Sequence, residues 1–158
     1  MAKFEFKGID TYIKQLNELQ LAAKSTVIGK TVYAGAAVVA DRVRAAIQAL
    51  PEGKESDADT GAVTPAQKRG LLDGFGISPM ETEDGYTNVK LGFDGYNSVK
   101  TKKYPNGQPN ALIARAVNSG TSFRKKTKFV DKAVTASRKA AEKAMDETCN
   151  REIEKVMK

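Results

Sequence analysis

The residues able to do chemistry are few, and their spacing argues against a reaction. The chain holds no histidine and one cysteine. The commonest general base and metal ligand is therefore missing, and a cysteine–histidine pair cannot form. Cys149 falls between Met145 and Ile153 on the apolar side of a helical pattern, where a thiol serves as a small inert hydrophobe. Ser98 with Lys100, and Ser122 with Lys125, can be drawn as nucleophile pairs, but they lie in basic loop sequence without an evident oxyanion site. Asp57-Ala58-Asp59-Thr60-Gly61 begins like a calcium loop, yet Lys68 stands where a bidentate glutamate is required. Gly74-Phe75-Gly76 lacks the third glycine and the following helix of a dinucleotide fingerprint, and Glu81 and Glu83 lie in a turn. The expectation is a protein that is not an enzyme, with no catalytic, cofactor-binding or metal-binding residues and no cofactor.

What remains is charge. From Gly95 to Val130 there is no Asp or Glu, but there are eight basic residues: Lys100, Lys102, Lys103, Arg115, Arg124, Lys125, Lys126 and Lys128. Apart from Arg115 they fall on two loops, and these seven are the expected partner-binding or DNA-facing residues. Three readings stay open for them. They form a solvated face, they touch the phosphates of DNA in a channel without regard to sequence, or they dock an acidic patch on a neighbouring subunit. Many copies of such loops around one lumen would grip DNA and hinder its passage, which favours protein docking for at least one cluster. The whole chain has 26 Lys and Arg against 19 Asp and Glu, a net charge of +7, and that too favours an acidic partner. The alternative function is a basic, sequence-independent nucleic-acid-binding module. Against it, Trp is absent, Tyr96 and Tyr104 are the aromatics expected beside the clusters, and no recognised reading helix stands out.

The elements that position these loops come from periodicity. Lys3 to Lys7 alternates charge with Phe4 and Phe6, predicting a short strand or arm. Ile9, Tyr12, Ile13, Leu16 and Leu19 predict a helix with Asp10 as its cap. A longer helix is predicted from Gly29 to Leu50, with the stripe Val32, Ala36, Val39, Val43, Ile47 and Leu50, and Pro51 closing it. Ala34, Gly35, Ala36 and Ala37 would let another element approach closely. Residues 51–70 are polar and without sustained period, which predicts a long mobile surface loop. Leu71–Met80 and Tyr86–Phe93 read as strands around the turn Glu81–Gly85, with bulges or close backbone approach at glycines 74, 76 and 92. Asn110–Asn118 reads as a short helix, and Asn118 to Ser122 as a tight turn whose hydroxyls cap the next helix. That last helix is predicted from Lys128 to Val156. Its apolar side is Val130, Val134, Ala141, Met145, Cys149, Ile153 and Val156, interrupted by Ser137, and a thin second stripe is Ala133, Ala136, Ala140 and Ala144. Beyond Asp146 it is charged and is expected to project past the core.

A chain of 158 residues fits one domain, 1–158. The predicted class is α+β: a small, mostly antiparallel sheet against two or three helices, the longest C-terminal. The charged start, Met-Ala-Lys-Phe-Glu-Phe-Lys, is unlike a signal peptide, and Val32–Ala40 is too short an apolar run to span a membrane. One cysteine suits a reducing compartment.

The order Gly92-Phe93-Asp94-Gly95-Tyr96, then Tyr104-Pro105-Asn106-Gly107, then Asn118-Ser119-Gly120-Thr121-Ser122, then Phe129-Val130 with Ala133 opening a long helix, resembles the head–tail joining proteins of long-tailed bacteriophages. These neck or tail-completion morphogenesis proteins are also known as minor tail or minor structural proteins. The likeness extends upstream through Gly70-Leu71-Leu72 and Phe75-Gly76-Ile77. In that family an acidic residue often precedes the Gly-Thr turn and prolines surround the Phe, whereas Asn118, Lys128 and Lys132 stand here. The resemblance implies a virion structural protein that assembles in the host bacterial cytoplasm. It implies a homo-oligomeric ring, a hexamer by the sixfold symmetry of such tails, between neighbouring neck, connector or tail proteins. Non-specific contact with DNA in the channel is compatible with it, and a membrane is not involved. Gly120, Thr121, Ser122 and Phe129 would form its turn and packing motif.

Overall fold

The computed structural model describes residues 9–22 and 26–157; the strand expected over Lys3–Lys7 lies outside them. The elements run α1 (Ile9–Ala22), α2 (Ile28–Gln48), a 3-10 helix (Glu55–Thr60), α3 (Pro65–Gly74), β1 (Phe75–Ile77), β2 (Glu81–Glu83), β3 (Tyr86–Asn88), β4 (Leu91–Phe93), α4 (Asn110–Ser119) and α5 (Phe129–Met157). The chain is α+β, with small antiparallel two-stranded sheets and the long C-terminal helix packed on α2.

The α2 stripe is buried as its spacing predicts: Ala36, Val43, Ile47 and Leu50 are inside, with Val39 packed against them. The face of α5 that meets it differs from expectation. Phe129, Ala133, Ser137, Ala141, Thr148 and Glu152 are buried, while Val134 is 45% exposed. The reason is distance between backbones. A Cβ on Gly35 would stand 2.7 Å from the Met145 side chain and 3.6 Å from the Ala141 carbonyl oxygen, so this glycine lets the α5 backbone and the Met145 side chain come close to α2. Ser137 tolerates complete burial because its hydroxyl donates to the Val134 carbonyl at 3.1 Å. That bond satisfies the polar group within its own helix.

The C-terminal half of α5 does not project alone. α1 lies against it, and Gln15 Nε2 donates to the Met157 carbonyl at 2.8 Å. Glu152, only 6% exposed, takes Lys30 and Lys155 at 2.6 Å each and Arg151 at 3.7 Å. Hydrogen bonds from Lys155 and Lys30 hold its carboxyl down to about 2. Asp10, expected as a cap, sits inside the bounds of α1.

Residues 51–70 also depart from the expected structureless loop. Glu52 bridges Val63, with Gly53 N–H donating to Val63 O at 3.0 Å and Val63 N–H to Pro51 O at 2.9 Å. Asp57 Oδ2 accepts from Lys54 N–H at 2.8 Å at the start of the 3-10 helix. The side chains of Ala58, Ala62 and Val63 are buried. Thr64-Pro65-Ala66-Gln67 is a capping box that starts α3, and Pro65 needs no donor in the first turn. That helix takes Leu71–Gly74 out of the expected strand.

The strands form one irregular arm. β1 pairs β4 with Phe75 opposite Phe93, Gly76 opposite Gly92 and Ile77 opposite Leu91. β2 pairs β3 from Glu81–Asn88 to Glu83–Tyr86. Ser78, Pro79 and Met80 face only Val89 and Lys90, so the register slips by one residue, as at a bulge. The turn is tighter than expected: Asp84 and Gly85 alone, both at positive φ (51° and 82°), the geometry that suits a two-residue hairpin. Phe75, Ile77, Leu91 and Phe93 turn toward the core, where the Phe93 ring lies 5.0 Å from Phe75 and 6.3 Å from Phe129.

Candidate functional site

Helix α4 separates the two basic loops. Its ten residues span about 15 Å, with residues 96–109 entering its N-terminus and residues 120–128 leaving its C-terminus. Neither loop is slack.

The first is a finger. Tyr96 bridges Pro109, Asn97 N–H donates to Gln108 O at 2.9 Å, and Gln108 N–H donates to Val99 O at 3.0 Å. Thr101 and Tyr104 exchange backbone hydrogen bonds at 3.1 and 3.0 Å, leaving Lys102 and Lys103 as a two-residue tip. At its base Asn110 Nδ2 donates to Asp94 O at 2.8 Å. Asn97 Nδ2 and Asn110 Oδ1 are buried without partners, and both side chains press on Gly70: a Cβ there would stand 2.6 Å from Asn97 Cβ and from Asn110 Oδ1.

The second loop is built on a turn that only glycine enters easily. Gly120 has φ 80° and ψ 171°, a region essentially closed to other residues. Thr121 and Arg124 then exchange backbone bonds at 2.9 and 3.4 Å, which puts Ser122 and Phe123 at the tip. Phe123 is 73% exposed. Contrary to expectation, the hydroxyls of this turn do not cap α5. Asn118 does, accepting from Val130 N–H at 3.0 Å, while Lys128 bends the chain at φ 54°. Phe129 is buried at the start of α5, as a packing residue should be.

Six of the seven expected contact residues, Lys100, Lys102, Lys103, Lys125, Lys126 and Lys128, are exposed, and none makes an ion pair among the described residues. Arg124 is the exception, and it overturns the expectation of a surface contact. It is 7% exposed and turns inward, donating from Nη1 to Ala62 O at 2.6 Å and from Nη2 to Gln67 Oε1 at 3.4 Å. Burial lowers its pKa from the ordinary value, with Glu55 opposing the shift. It braces the second loop against the 3-10 segment, helped by Lys125 N–H, which donates to Ala58 O at 3.1 Å. A run of three basic letters gives no sign of which one finds acceptors to satisfy it.

Opposite charge sits elsewhere. Glu83 and Asp84 at the tip of the strand arm are exposed and form no ion pair among the described residues, whereas Glu81 is tied to Lys90 at 2.6 Å. Tyr12, Ile13 and Leu16 form an apolar face on α1 that is 42–54% exposed. Among the described residues no group of three or more His, Cys, Asp or Glu gathers as a metal cage, and no helix is long and apolar enough to cross a membrane. Ser98, Lys100, Ser122 and Lys125 are all exposed, and Cys149 is half-buried on α5.

Sequence reasoning passed over Phe123. Its signal was an aromatic between a Gly-Thr-Ser turn and three cations, with no apolar neighbour at helical or strand spacing. Compared with protein-family models, curated proteins and solved structures, the chain returns no match.

Proposed function

We propose that this chain is a non-enzymatic structural protein of a tailed-phage virion, forming a ring in the head–tail connection or tail-completion region. One observation carries the reading: opposite charges left unpaired on separate, hydrogen-bonded tips of one chain. Glu83 and Asp84 stand on one tip, Lys102 and Lys103 on another, and Lys125 and Lys126 beside a third. Such a molecule attracts its own copies head to tail, and heterologous contacts close into rings when the rotation permits. The phage resemblance of residues 92–96, 104–107, 118–122 and 129–133 supports the same reading, and six copies would suit the symmetry of such tails. Neighbouring connector or tail proteins are the further partners. Assembly would take place in the host bacterial cytoplasm, and no membrane is involved.

Negative-stain class averages test it, with the purified chain imaged alone at rising concentration and mixed with long-tailed phage capsids and tails. Closed rings, or density added at a tail or capsid end, is the expected result. Solitary molecules throughout, with bare particles, would overturn it. The exposed lysines at both ends of α4 also favour a second reading, sequence-independent contact with DNA. Filter binding against salt separates the two: a steep loss of affinity supports DNA contact, and no binding at physiological salt counts against it.

A further inference from the structure

Gly76 and Gly92 face each other across β1 and β4, and nothing inside the chain requires either to be glycine. Neither has a positive φ, and a Cβ built on either would meet no atom within 4 Å. Gly74, two residues before Gly76, has an internal reason: a Cβ there would meet the Asp94 carbonyl oxygen. Glycine within a strand costs stability, and paired glycines expose bare backbone. The outer face of the arm is thus a groove of about 460 Å³ floored by Gly74, Gly76 and Gly92 and edged by Ser78, Lys90 and Asp94. Close approach of another molecule explains a glycine pair that the fold itself leaves unexplained.

We infer that this groove receives the Ser122–Phe123 tip of a second copy of the chain, the ring contact of the proposed assembly, on which this inference rests. Three observations select that occupant. Phe123 is 73% exposed on a closed two-residue tip, so its ring is presented at little ordering cost. An aromatic ring laid over strand glycines covers the backbone that they leave bare. The charges also match: Lys125 and Lys126 flank the tip, while Asp94 edges the groove, Glu81 offsets Lys90 at 2.6 Å, and Glu83 and Asp84 stand without an ion pair among the described residues at the end of the arm. The tip lies beyond the C-terminus of α4 and the groove on the outer face of the arm. The contact is therefore heterologous and propagates from copy to copy.

Sedimentation velocity of the whole chain over a concentration series tests this. Wild type is expected to associate. Gly76→Val and Gly92→Val should each weaken association by at least about tenfold, as expected for a filled hot-spot pocket. Their thermal unfolding should stay at or above the wild-type midpoint, because valine suits a strand with open space above it. Phe123→Ser should weaken association similarly. Glu83→Lys should weaken it, as should Lys125→Glu, and the two changes in one chain should restore it. Wild-type association that the valine and Phe123 variants leave unchanged overturns the inference alone. A wild type that stays monomeric at every concentration overturns the ring reading along with it.

Discussion

Replacing Arg124 with methionine separates a buried brace from a surface contact. The side chain is 7% exposed, and its 2.6 Å bond to the buried Ala62 carbonyl is charge-assisted. Losing such a bond costs about 1.5–3 kcal/mol. The 3.4 Å contact to Gln67 adds little, because Gln67 Oε1 keeps Thr64 N–H at 3.2 Å. Methionine preserves most of the stem's packing, and removing the guanidinium relieves its desolvation, so the net loss is about 2 kcal/mol. For a chain of this size that lowers the midpoint of thermal unfolding by about 4–8 °C. Differential scanning fluorimetry and urea titration would read the loss. Lys125→Glu with Lys126→Glu, at exposed positions, should stay within about 0.5 kcal/mol of wild type. If Arg124→Met leaves stability unchanged and instead weakens association or DNA binding as the lysine changes do, the inward brace is refuted.

Glu152 sets a pH dependence. Its pKa is lowered to about 2, against about 4.3 in an unfolded chain. Its contribution is therefore complete above about pH 4.3 and is lost as pH falls toward 2. Urea unfolding of Glu152→Gln should fall below wild type at pH 7 and converge with it near pH 2; parallel curves would contradict the ion cluster. Gly120→Ala forces alanine into the φ 80°, ψ 171° region and should cost about 1–3 kcal/mol in a denaturant titration. An unchanged midpoint would show that the turn relaxes freely. Thr64→Ala removes the α3 cap and should cost about 1 kcal/mol by the same titration. In wild type the Gly53 and Val63 amides, bonded across the Glu52–Val63 bridge, should exchange with deuterium more slowly than exposed loop amides. Free exchange at both would restore the picture of a mobile segment.

What short-range physics controls was legible along the chain. Apolar residues every three or four positions marked α1, α2 and α5 to within a few residues of their bounds. Alternation at Leu91 and Phe93 marked the inward side of the arm, and the Gly-Thr-Ser stretch marked a tight turn. The capping box at Thr64–Gln67 was equally local and equally legible, but it lay inside a polar stretch read for its composition. Tertiary structure decided which way side chains face where local preference is indifferent. Ser137 is buried and Val134 half-exposed because the seam tracks the close approach of two backbones. Arg124 turns inward because its carbonyl partner, 62 residues away in the chain, arrives at the same corner. Phe123 is left outside because Thr121 and Arg124 close beneath it. Periodicity fixes a helix or strand; burial of a particular side chain depends on groups brought near by the rest of the fold, and no local window contains them.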